Sequence, residues 1–523
     1  MKRVVSYILA TVMIITSVMI FNVNSADYIV GDLNYDSKID AKDSNCLARY
    51  LAGTYNLSDT RRADINGDGF VNVMDSSSMI KALNGMYVIK QPATEDVLEI
   101  SDYTVVYPEN ATVYELYAAE ILCDWVADNC NTEILAVSDA AAETECEILI
   151  GATNRAESTT EAAFENNQYM LKADGSKIVM QGKDYMIGGA VGEFTTNKMD
   201  GDAILIDDIS TENVVCDYAP VDGDNIILMI GDGMGYNHIA FTKFYLRRDP
   251  NFKGFVAESF PNLGDCVTFC LSEPTSDFKF GKITTDSAAA ATALSSGWKT
   301  QKGFLGLNGY GVNVKNIREV AYELGYKTAV VSTEGTTGAT PAGFTVHTDS
   351  RANNDDIIAQ QAALVENGEI TYLKGESYDN LLDDTKTALD LVSTDSDGFF
   401  VMIEEAYIDK ASHKLGTGDY TIADLVNYVC RFNTAIEYAA TFTAATPGTV
   451  LIVTADHETA SLTPTGGYDS TGNHSNVNVP IFAMGYGTEY FSGTTVDNTD
   501  IADFMAAKYD ITSFGGTVDF KDE

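Results

Sequence analysis

The fold of the carboxyl-terminal half of this chain is predicted from the stretch Ile226-Ile227-Leu228-Met229-Ile230-Gly231-Asp232-Gly233-Met234-Gly235. Its apolar part suits a strand buried on both faces, and its glycines allow a tight turn directly afterwards. Helix-like segments separate it from four further apolar runs, at residues 328–331, 399–403, 450–453 and 479–483. The alternation predicts an α/β domain over residues 223–523, with a mostly parallel sheet flanked by helices.

Acidic side chains follow three of these runs, at Asp232, Glu404 and Asp456. Ligands of open α/β sheets bind beyond the carboxyl ends of the strands. We therefore expect these carboxylates to meet at one binding site.

Three of the five histidines lie close to acidic or polar motifs, in Asp409-x-x-x-His413, Asp456-His457 and Asn473-His474-Ser475. Zinc takes imidazole nitrogen and carboxylate oxygen together, and catalytic zinc sites keep one coordination position open. A metal-dependent hydrolase is therefore the first functional hypothesis.

A hydroxyl side chain, Ser287, precedes the alanine-rich residues 288–294, a strong helix former. The positive end of a helix favours a phosphate group and a serine alkoxide. The alternative is that Asp286 or Ser287 only caps the helix, and the local sequence by itself favours a cap.

The chain has 523 residues and a formal net charge of −43. Such acidity argues against nucleic acid as a partner and is typical of a solvated extracellular surface. Its eight cysteines are too few for a disulfide scaffold. A Cys266–Cys270 bridge and buried free thiols are both open.

Lys2 and Arg3 precede an apolar run over residues 4–23, and small residues follow. This pattern predicts a signal peptide over residues 1–25 and a secreted, extracellular protein. The run is also long enough for an uncleaved membrane anchor, although its serines and threonines favour cleavage.

Two loops, residues 32–43 and 64–75, place oxygen-bearing side chains at positions 1, 3, 5, 9 and 12 of an EF-hand-type calcium loop. The ligands would be Asp32, Asn34, Asp36, Asp40 and Asp43, then Asp64, Asn66, Asp68, Asn72 and Asp75. With one short helix after each loop, residues 27–88 closely resemble a dockerin module.

This resemblance implies a small helical domain folded by two Ca²⁺ ions that binds a cohesin domain on a cellulosome scaffold. Loop positions 10 and 11 are Ala41-Lys42 and Val73-Met74, which depart from the common Ser-Thr pair and leave the cohesin type open. A calcium-stabilised spacer without a partner is the alternative.

Residues 97–218 alternate strand-like runs with one amphipathic run that includes Tyr117, Ile121 and Trp125. They weakly resemble the α+β accessory domains of some carbohydrate-active enzymes. No catalytic motif is present there, so we expect a packing or spacer role.

The complete set of motifs, from residue 225 to about residue 486, resembles the alkaline phosphatase family. The set comprises Asp232, Ser287, Thr340, Arg351, Glu404, Asp409, His413, Asp456, His457 and His474. By this resemblance one zinc would bind Asp409, His413 and His474, and a second would bind Asp232, Asp456 and His457. Asp232, Thr340 and Glu404 would hold one magnesium.

The same resemblance implies a phosphomonoesterase in which Ser287 is the nucleophile and Arg351 binds the oxygens of a phosphate monoester. His347 is expected to be structural, and His238 receives no role. Gly338 stands where family members usually carry Asp or His beside the magnesium, so the metal of that third site is open. Lys410, next to Asp409, could offer positive charge to phosphate or its water.

Two other functions are compatible with these motifs. One is a phosphodiesterase of the same fold, and the other is a scaffold-binding protein whose catalytic domain has lost its activity. The intact ligand set argues against the second alternative. The physiological substrate and the oligomeric state carry no sequence signature.

Overall fold

The structure is a computed structural model that describes residues 30–35, 39, 41–58, 60–66, 70–83, 98–158, 163–394 and 397–521. They divide into two compact units, Met1–Val97 and Leu98–Glu523. The predicted signal peptide over residues 1–25 and the loop residues Asp36, Asp40 and Asp68 lie outside the described residues. Within those residues, no helix combines the length and apolar character needed to cross a bilayer.

Among the described residues of the first unit, the structure shows two helices, α1 (Ala41–Leu51) and α2 (Val73–Leu83), and a 3-10 turn at Thr60–Ala63. Each helix begins inside one of the two predicted calcium loops. Leu47 of α1 and Met79 of α2 are buried in a small shared core with Leu33 and Ile65. This arrangement agrees with the predicted helical module.

The second unit contains 21 strands and eleven further helices among the described residues. The strands are β1 (Leu98–Glu99), β2 (Thr104–Tyr107), β3 (Ala136–Ser138), β4 (Glu147–Ile150), β5 (Gln168–Asp174), β6 (Lys177–Gly182), β7 (Met199–Asp200), β8 (Ala203–Ile204), β9 (Val215–Asp217), β10 (Asn225–Gly231), β11 (Asn262–Val267), β12 (Cys270–Leu271), β13 (Lys282–Ile283), β14 (Lys327–Ser332), β15 (Tyr372–Lys374), β16 (Phe399–Glu405), β17 (Thr449–Thr454), β18 (Glu458–Thr459), β19 (His474–Ser475), β20 (Val479–Met484) and β21 (Thr495–Asp497). The helices are α3 (Val113–Asn129), α4 (Ile187–Asn197), α5 (Tyr236–Leu246), α6 (Ser287–Ser296), α7 (Ile317–Glu323), α8 (Ala339–Gly343), α9 (Asn354–Glu366), α10 (Leu381–Ser393), α11 (Tyr407–Lys414), α12 (Ile422–Ala445) and α13 (Asn498–Lys508).

An eight-stranded sheet carries the predicted motifs, in the order β15-β14-β16-β10-β17-β20-β11-β21. Pairing is parallel from β15 through β17, which confirms the predicted α/β class with a mostly parallel sheet. The prediction that residues 479–483 form a parallel strand was wrong, because β20 is antiparallel to β17. The chain returns from β17 to β20 through loops and the short β18–β19 pair, without the crossover helix that a parallel connection needs.

A six-stranded sheet, in the order β3-β2-β4-β6-β5-β9, covers most of the predicted accessory region. Its pairings are parallel from β3 to β6 and antiparallel for β5 with β6 and β9. Helix α3 buries Tyr117, Ile121 and Val126, as the helical spacing predicts. The boundary near residues 218–223 stays a prediction, since both sheets belong to the compact unit Leu98–Glu523.

Helix α12 packs against both α3 and α4 and thereby joins the two sheets. The crossing with α4 is close: a Cβ atom on Gly188 would lie 2.3 Å from the carbonyl oxygen of Thr441, and one on Gly192 would lie 2.9 Å from that of Ala445. At the α3 contact, the rings of Tyr117 and Tyr438 meet edge to face, with centroids 5.2 Å apart.

All eight cysteines lie among the described residues and are free thiols. Cys266 and Cys270 are both buried, so the structure favours the free-thiol alternative over a bridge between them.

Candidate active site and metal centres

Ser287 is the first residue of helix α6, and its side chain lies at the carboxyl-terminal side of the eight-stranded sheet. Asp286 is the N-cap: its carboxylate accepts hydrogen bonds from Ala289 N at 3.1 Å and from Gly303 N. Ser287 itself is buried, and its Oγ lies 3.2 Å from Nε2 of His457. The cap and the predicted nucleophile are therefore different residues, so the two interpretations of this segment are compatible.

The first predicted zinc set, Asp409, His413 and His474, is brought together in space. Nε2 of His413 lies 3.1 Å from Oδ2 of Asp409 and 3.1 Å from Nε2 of His474. On the far side of each ring, Nδ1 contacts a backbone carbonyl, that of Gly472 at 2.6 Å for His413 and that of Thr285 at 2.9 Å for His474. These carbonyls fix both rings so that their Nε2 atoms converge, as metal-binding imidazoles require.

The second predicted zinc set, Asp232, Asp456 and His457, is also assembled. Nε2 of His457 lies 3.2 Å from Oδ2 of Asp456 and 3.5 Å from Oδ1 of Asp232. Asp232, Asp409 and His457 offer ligand atoms within 4.8 Å of one another, so Asp409 lies between the two sets. The rings of His457 and His474 stack with centroids 3.6 Å apart.

The third predicted set supplies buried oxygen atoms that lack a hydrogen-bond partner. Thr340 Oγ1, Glu404 Oε1 and Asp232 Oδ1 are buried and accept or donate no hydrogen bond. Unsatisfied buried oxygens are costly, and hard oxygen ligands are those that Mg²⁺ prefers. The donor set therefore fits a magnesium ion.

The electrostatics of the site reflect several carboxylates buried beside one another. Burial and the neighbouring carboxylates raise the pKa of Asp232 and of Glu404 well above the ordinary values. Burial, with a contribution from Asp409, raises the pKa of Asp456 to about 7. Burial and the charge of His474 lower the pKa of His457. A bound cation would favour the charged carboxylates and the neutral imidazole.

The loop after β10 is held against the other ligands by close contacts. Gly233 has φ +75°, and a Cβ atom there would lie 2.9 Å from both Asp409 Cα and Thr459 Oγ1. His238, which sequence analysis left without a role, accepts a hydrogen bond from Gly235 N at 3.1 Å and contacts Ser412 Oγ at 3.1 Å. Burial lowers the pKa of His238 to about 4, which favours a neutral ring that links the start of α5 to Ser412, the residue before His413.

The two other predicted residues are placed differently. Arg351 lies beside Asp286, the residue before Ser287, with its Nη1 3.5 Å from Oδ2 of Asp286, and its side chain is 42% exposed. His347 uses both ring nitrogens elsewhere, at 2.8 Å from the carbonyl oxygen of Gly306 and 2.9 Å from Oε1 of Glu319. Those contacts agree with the expected structural role.

Sequence analysis missed Thr459. Its Oγ1 donates to Oδ1 of Asp409 at 2.5 Å and lies 3.3 Å from Nδ1 of His457, so it links the two predicted zinc sets. It follows His457 by two residues in an extended segment, where alternate side chains share a face. That spacing was the signal available in the sequence.

In the first unit, position 12 of each loop is a fully buried carboxylate. Oδ1 of Asp43 accepts hydrogen bonds from Leu33 N at 2.8 Å and Asn34 N at 3.1 Å, and Oδ1 of Asp75 accepts one from Asn66 N at 3.2 Å. The remaining described positions, Asp32, Asn34, Asp64, Asn66 and Asn72, lie on the same two loops. In both repeats, therefore, the aspartate at position 12 accepts a hydrogen bond from the backbone N of position 3 of the same loop.

The fold and the clustered ligands define the second unit as a metal-binding hydrolase of the α/β class. The family model for alkaline phosphatase matches residues 223–375 and 364–473, and the model for the dockerin type I domain matches residues 30–84. The chain therefore carries a phosphatase domain of the alkaline phosphatase family and an amino-terminal type I dockerin, which confirms both resemblances.

Individual relatives cover parts of the chain. Alkaline phosphatase 3 of Bacillus subtilis is 28% identical over 336 residues, which are 53% of this chain and 69% of that protein. Alkaline phosphatase of Escherichia coli is 38% identical over 128 residues, which are 24% of this chain and 26% of that protein. The structure of alkaline phosphatase from the Antarctic bacterium TAB5 is 26% identical and covers 56% of this chain and 100% of its own, with a TM-score of 0.48.

Proposed function

We propose that this protein is a secreted phosphomonoesterase that releases inorganic phosphate through a phosphoserine on Ser287 and is anchored to a scaffold by its dockerin. The observation that carries the proposal is the position of Ser287, at the start of a helix and 3.2 Å from His457. A nucleophile at position 287 would lie next to both predicted zinc sets, through His457 and through the segment that contacts His474.

The residues that would hold the metals are those named from the sequence. Asp409, His413 and His474 would hold one zinc and Asp232, Asp456 and His457 another, with Thr340, Glu404 and Asp232 around a magnesium. Bound cations would supply the positive charge that neutralises a phosphate dianion and lowers the pKa of a nearby hydroxyl.

The protein side chains position and react with the ester. Arg351 offers a planar guanidinium to two non-bridging oxygens of the phosphate, while Asp286 holds that side chain near the helix start. Ser287 Oγ loses its proton and attacks phosphorus. The Ser Oγ–P bond forms, the P–O bond to the ester alcohol breaks, and the departing oxygen takes up a proton, so that the alcohol leaves. Water then cleaves the phosphoserine and regenerates the free hydroxyl.

Replacing Ser287 by alanine tests the nucleophile. We expect phosphate release from 4-nitrophenyl phosphate to fall by about 10⁴-fold or more, because the step through a covalent intermediate is removed. Acid quenching with ³²P-labelled substrate should trap label on the wild-type protein and none on the variant. The zinc content of both proteins, measured by mass spectrometry, should remain equal.

Ser393→Ala is the matched control, since this serine is exposed at the end of α10. It should keep both turnover and labelling. Equal labelling of the Ser287→Ala protein would refute Ser287 as the nucleophile. Faster hydrolysis of bis(4-nitrophenyl) phosphate than of the monoester at saturating metal would instead establish the phosphodiesterase alternative.

The dockerin would connect this activity to a cohesin-bearing scaffold outside the cell. Val73 and Met74, at positions 10 and 11 of the second loop, are 73% and 58% exposed. Exposed neighbouring apolar side chains on so small a unit favour contact with a partner protein. Buried Asp43 and Asp75 would complete the calcium shells that hold this surface in shape.

A further inference from the structure

The space in front of Gly338 is filled by another acidic side chain. A Cβ atom on Gly338 would lie 1.8 Å from Oε1 of Glu334 and 2.6 Å from its Cγ. Glycine at this position is therefore matched to the Glu334 side chain, which occupies the volume that any larger residue at 338 would need. Gly338 lies two residues before Thr340, one of the oxygen donors of the third predicted metal set.

The backbone holds Glu334 firmly in this place. Glu334 N donates to Oγ of Ser332 at 3.0 Å, and the hydroxyl of Ser332 donates in turn to Oε2 of Glu404. On the other side, Glu376 N donates to the carbonyl oxygen of Glu334 at 2.6 Å. One shared hydroxyl thus connects Glu334 to Glu404, a donor of the third set.

The two carboxylate oxygens of Glu334 have different surroundings. Oε2 pairs with Nζ of Lys410 at 2.6 Å, whereas Oε1 points toward Gly338. The side chain is only 13% exposed. The Oε1 side of the carboxylate thus faces the loop that leads to Thr340.

We propose that Glu334 is a further acidic residue of the third metal site, where it binds the water shell of a divalent cation from the side that Gly338 leaves open. Mg²⁺ keeps several of its waters in protein sites, and carboxylates commonly accept hydrogen bonds from them. Lys410 keeps the Glu334 carboxylate oriented and is a positioning residue. This inference rests on the three-metal site of the proposed function.

The competing interpretation is that Glu334 serves only as the ion-pair partner of Lys410. The test is metal affinity, measured on zinc-loaded protein by titration with Mn²⁺ and detection of free Mn²⁺ by electron paramagnetic resonance, with Mg²⁺ as competitor. Glu334→Gln and Glu334→Ala should each weaken binding at the third site by about 10- to 100-fold, the range found when outer-shell partners of a metal are removed.

A double variant, Glu334→Ala/Gly338→Asp, makes the test specific. With Glu334 truncated, the space in front of residue 338 can accept a carboxylate, and we expect affinity to return to within a few fold of the wild type. Glu376→Gln is the matched control, because this exposed glutamate lies in the neighbouring loop after β15 and its backbone N donates to the carbonyl oxygen of Glu334. Its affinity should match that of the wild type.

Unchanged Mn²⁺ and Mg²⁺ affinity in both Glu334 variants would overturn the proposal, as would a wild-type protein that binds no third ion. Glu334→Gln preserves the size of the side chain, so it guards against a loss caused by misfolding. Phosphate labelling of Ser287 in the same preparations separates this result from the proposed function. If the wild type is labelled but metal affinity is unchanged in the Glu334 variants, only the role of Glu334 is refuted. If the wild type is not labelled, the phosphoserine mechanism is refuted.

Discussion

At the scale of single residues, the site depends on histidines whose two ring nitrogens make different contacts. His413 and His474 each direct one ring nitrogen to a backbone carbonyl and the other toward Asp409. Because the hydrogen bonds of these imidazoles outweigh burial, the pKa of Asp409 lies well below its ordinary value. The lowered pKa favours the charged form of the Asp409 carboxylate, which is the form that binds a cation.

His347 allows a pH-dependent contribution to stability to be predicted. Burial lowers its pKa, but the hydrogen bond and charge of Glu319 more than offset burial and Arg318, so the pKa of His347 is raised. Burial raises the pKa of Glu319, but the contact with His347 outweighs it and the pKa is lowered. Because its pKa is raised, His347 stabilises the fold fully at pH values below its ordinary pKa of 6.5. This stabilisation is lost as the pH rises through the pKa that His347 has in the folded protein. Because its pKa is lowered, Glu319 stabilises the fold at pH values above its ordinary pKa of 4.5. This stabilisation is lost as the pH falls through the pKa that Glu319 has in the folded protein.

We therefore expect the His347→Gln substitution to lower the free energy of unfolding by about 1–3 kcal/mol between pH 4.5 and pH 6.5. This is the scale of a hydrogen bond to a charged group. The loss should shrink at alkaline pH. Urea unfolding followed by tryptophan fluorescence measures it, since Trp125 and Trp298 both lie in the second unit. Gln360→Ala, which removes uncharged contacts to the His347 backbone, should show a loss that does not vary with pH. A pH-independent loss in His347→Gln would contradict the ion pair.

At the scale of elements, helix α12 connects the two sheets of the second unit. It contributes Arg431, which forms a two-pronged ion pair with the buried Glu405, with its Nε 2.5 Å from Oε2 and its NH2 2.6 Å from Oε1. The carbonyl oxygen of Glu405 accepts a hydrogen bond from Asp232 N at 3.1 Å. The helix thus supports the ends of β16 and β10, which carry the predicted metal ligands Glu404 and Asp232.

The crossing of α4 and α12 predicts that Gly188→Ala is destabilising. Helix propensity alone would make alanine more favourable by about 1 kcal/mol. A methyl group 2.3 Å from the carbonyl oxygen of Thr441 cannot be accommodated without moving a helix, so we expect a net loss of about 1–3 kcal/mol. Thr196→Ala, on the exposed side of α4, should be neutral or slightly stabilising. A stabilised Gly188→Ala protein in urea unfolding would show that the helices do not meet this closely.

At the scale of the whole molecule, the chain has two compact units, each with a core of its own. The first unit has a small core and relies on loops closed by Asp43 and Asp75. The second contains both sheets and every residue of the predicted catalytic site. Their stabilities should therefore respond to different ions.

The double variant Asp43→Ala/Asp75→Ala tests this independence. Removing both closing carboxylates should weaken calcium binding by about tenfold or more, measured by isothermal titration, and abolish capture on immobilised cohesin. The tryptophan-detected unfolding of the second unit should stay unchanged. Glu133→Ala/Glu212→Ala, which removes two exposed acidic side chains of the second unit, should keep calcium binding and capture. Cohesin capture that survives in the loop variant would rule out the calcium-dependent dockerin role.

Sequence spacing was enough to predict five strands of the eight-stranded sheet and the residue types of the predicted metal ligands, because each of these depends on local order along the chain. Buried strands are visible as apolar runs, the calcium loops as alternating oxygen side chains, and the ligands as carboxylate and imidazole pairs near strand ends. Three features became evident only in three dimensions: the direction of β20, the link that Thr459 makes between the two predicted zinc sets, and the filling of the space at Gly338 by Glu334. These features join segments through strand pairing, hydrogen bonds and excluded volume in three dimensions, and separation along the chain does not encode such distances.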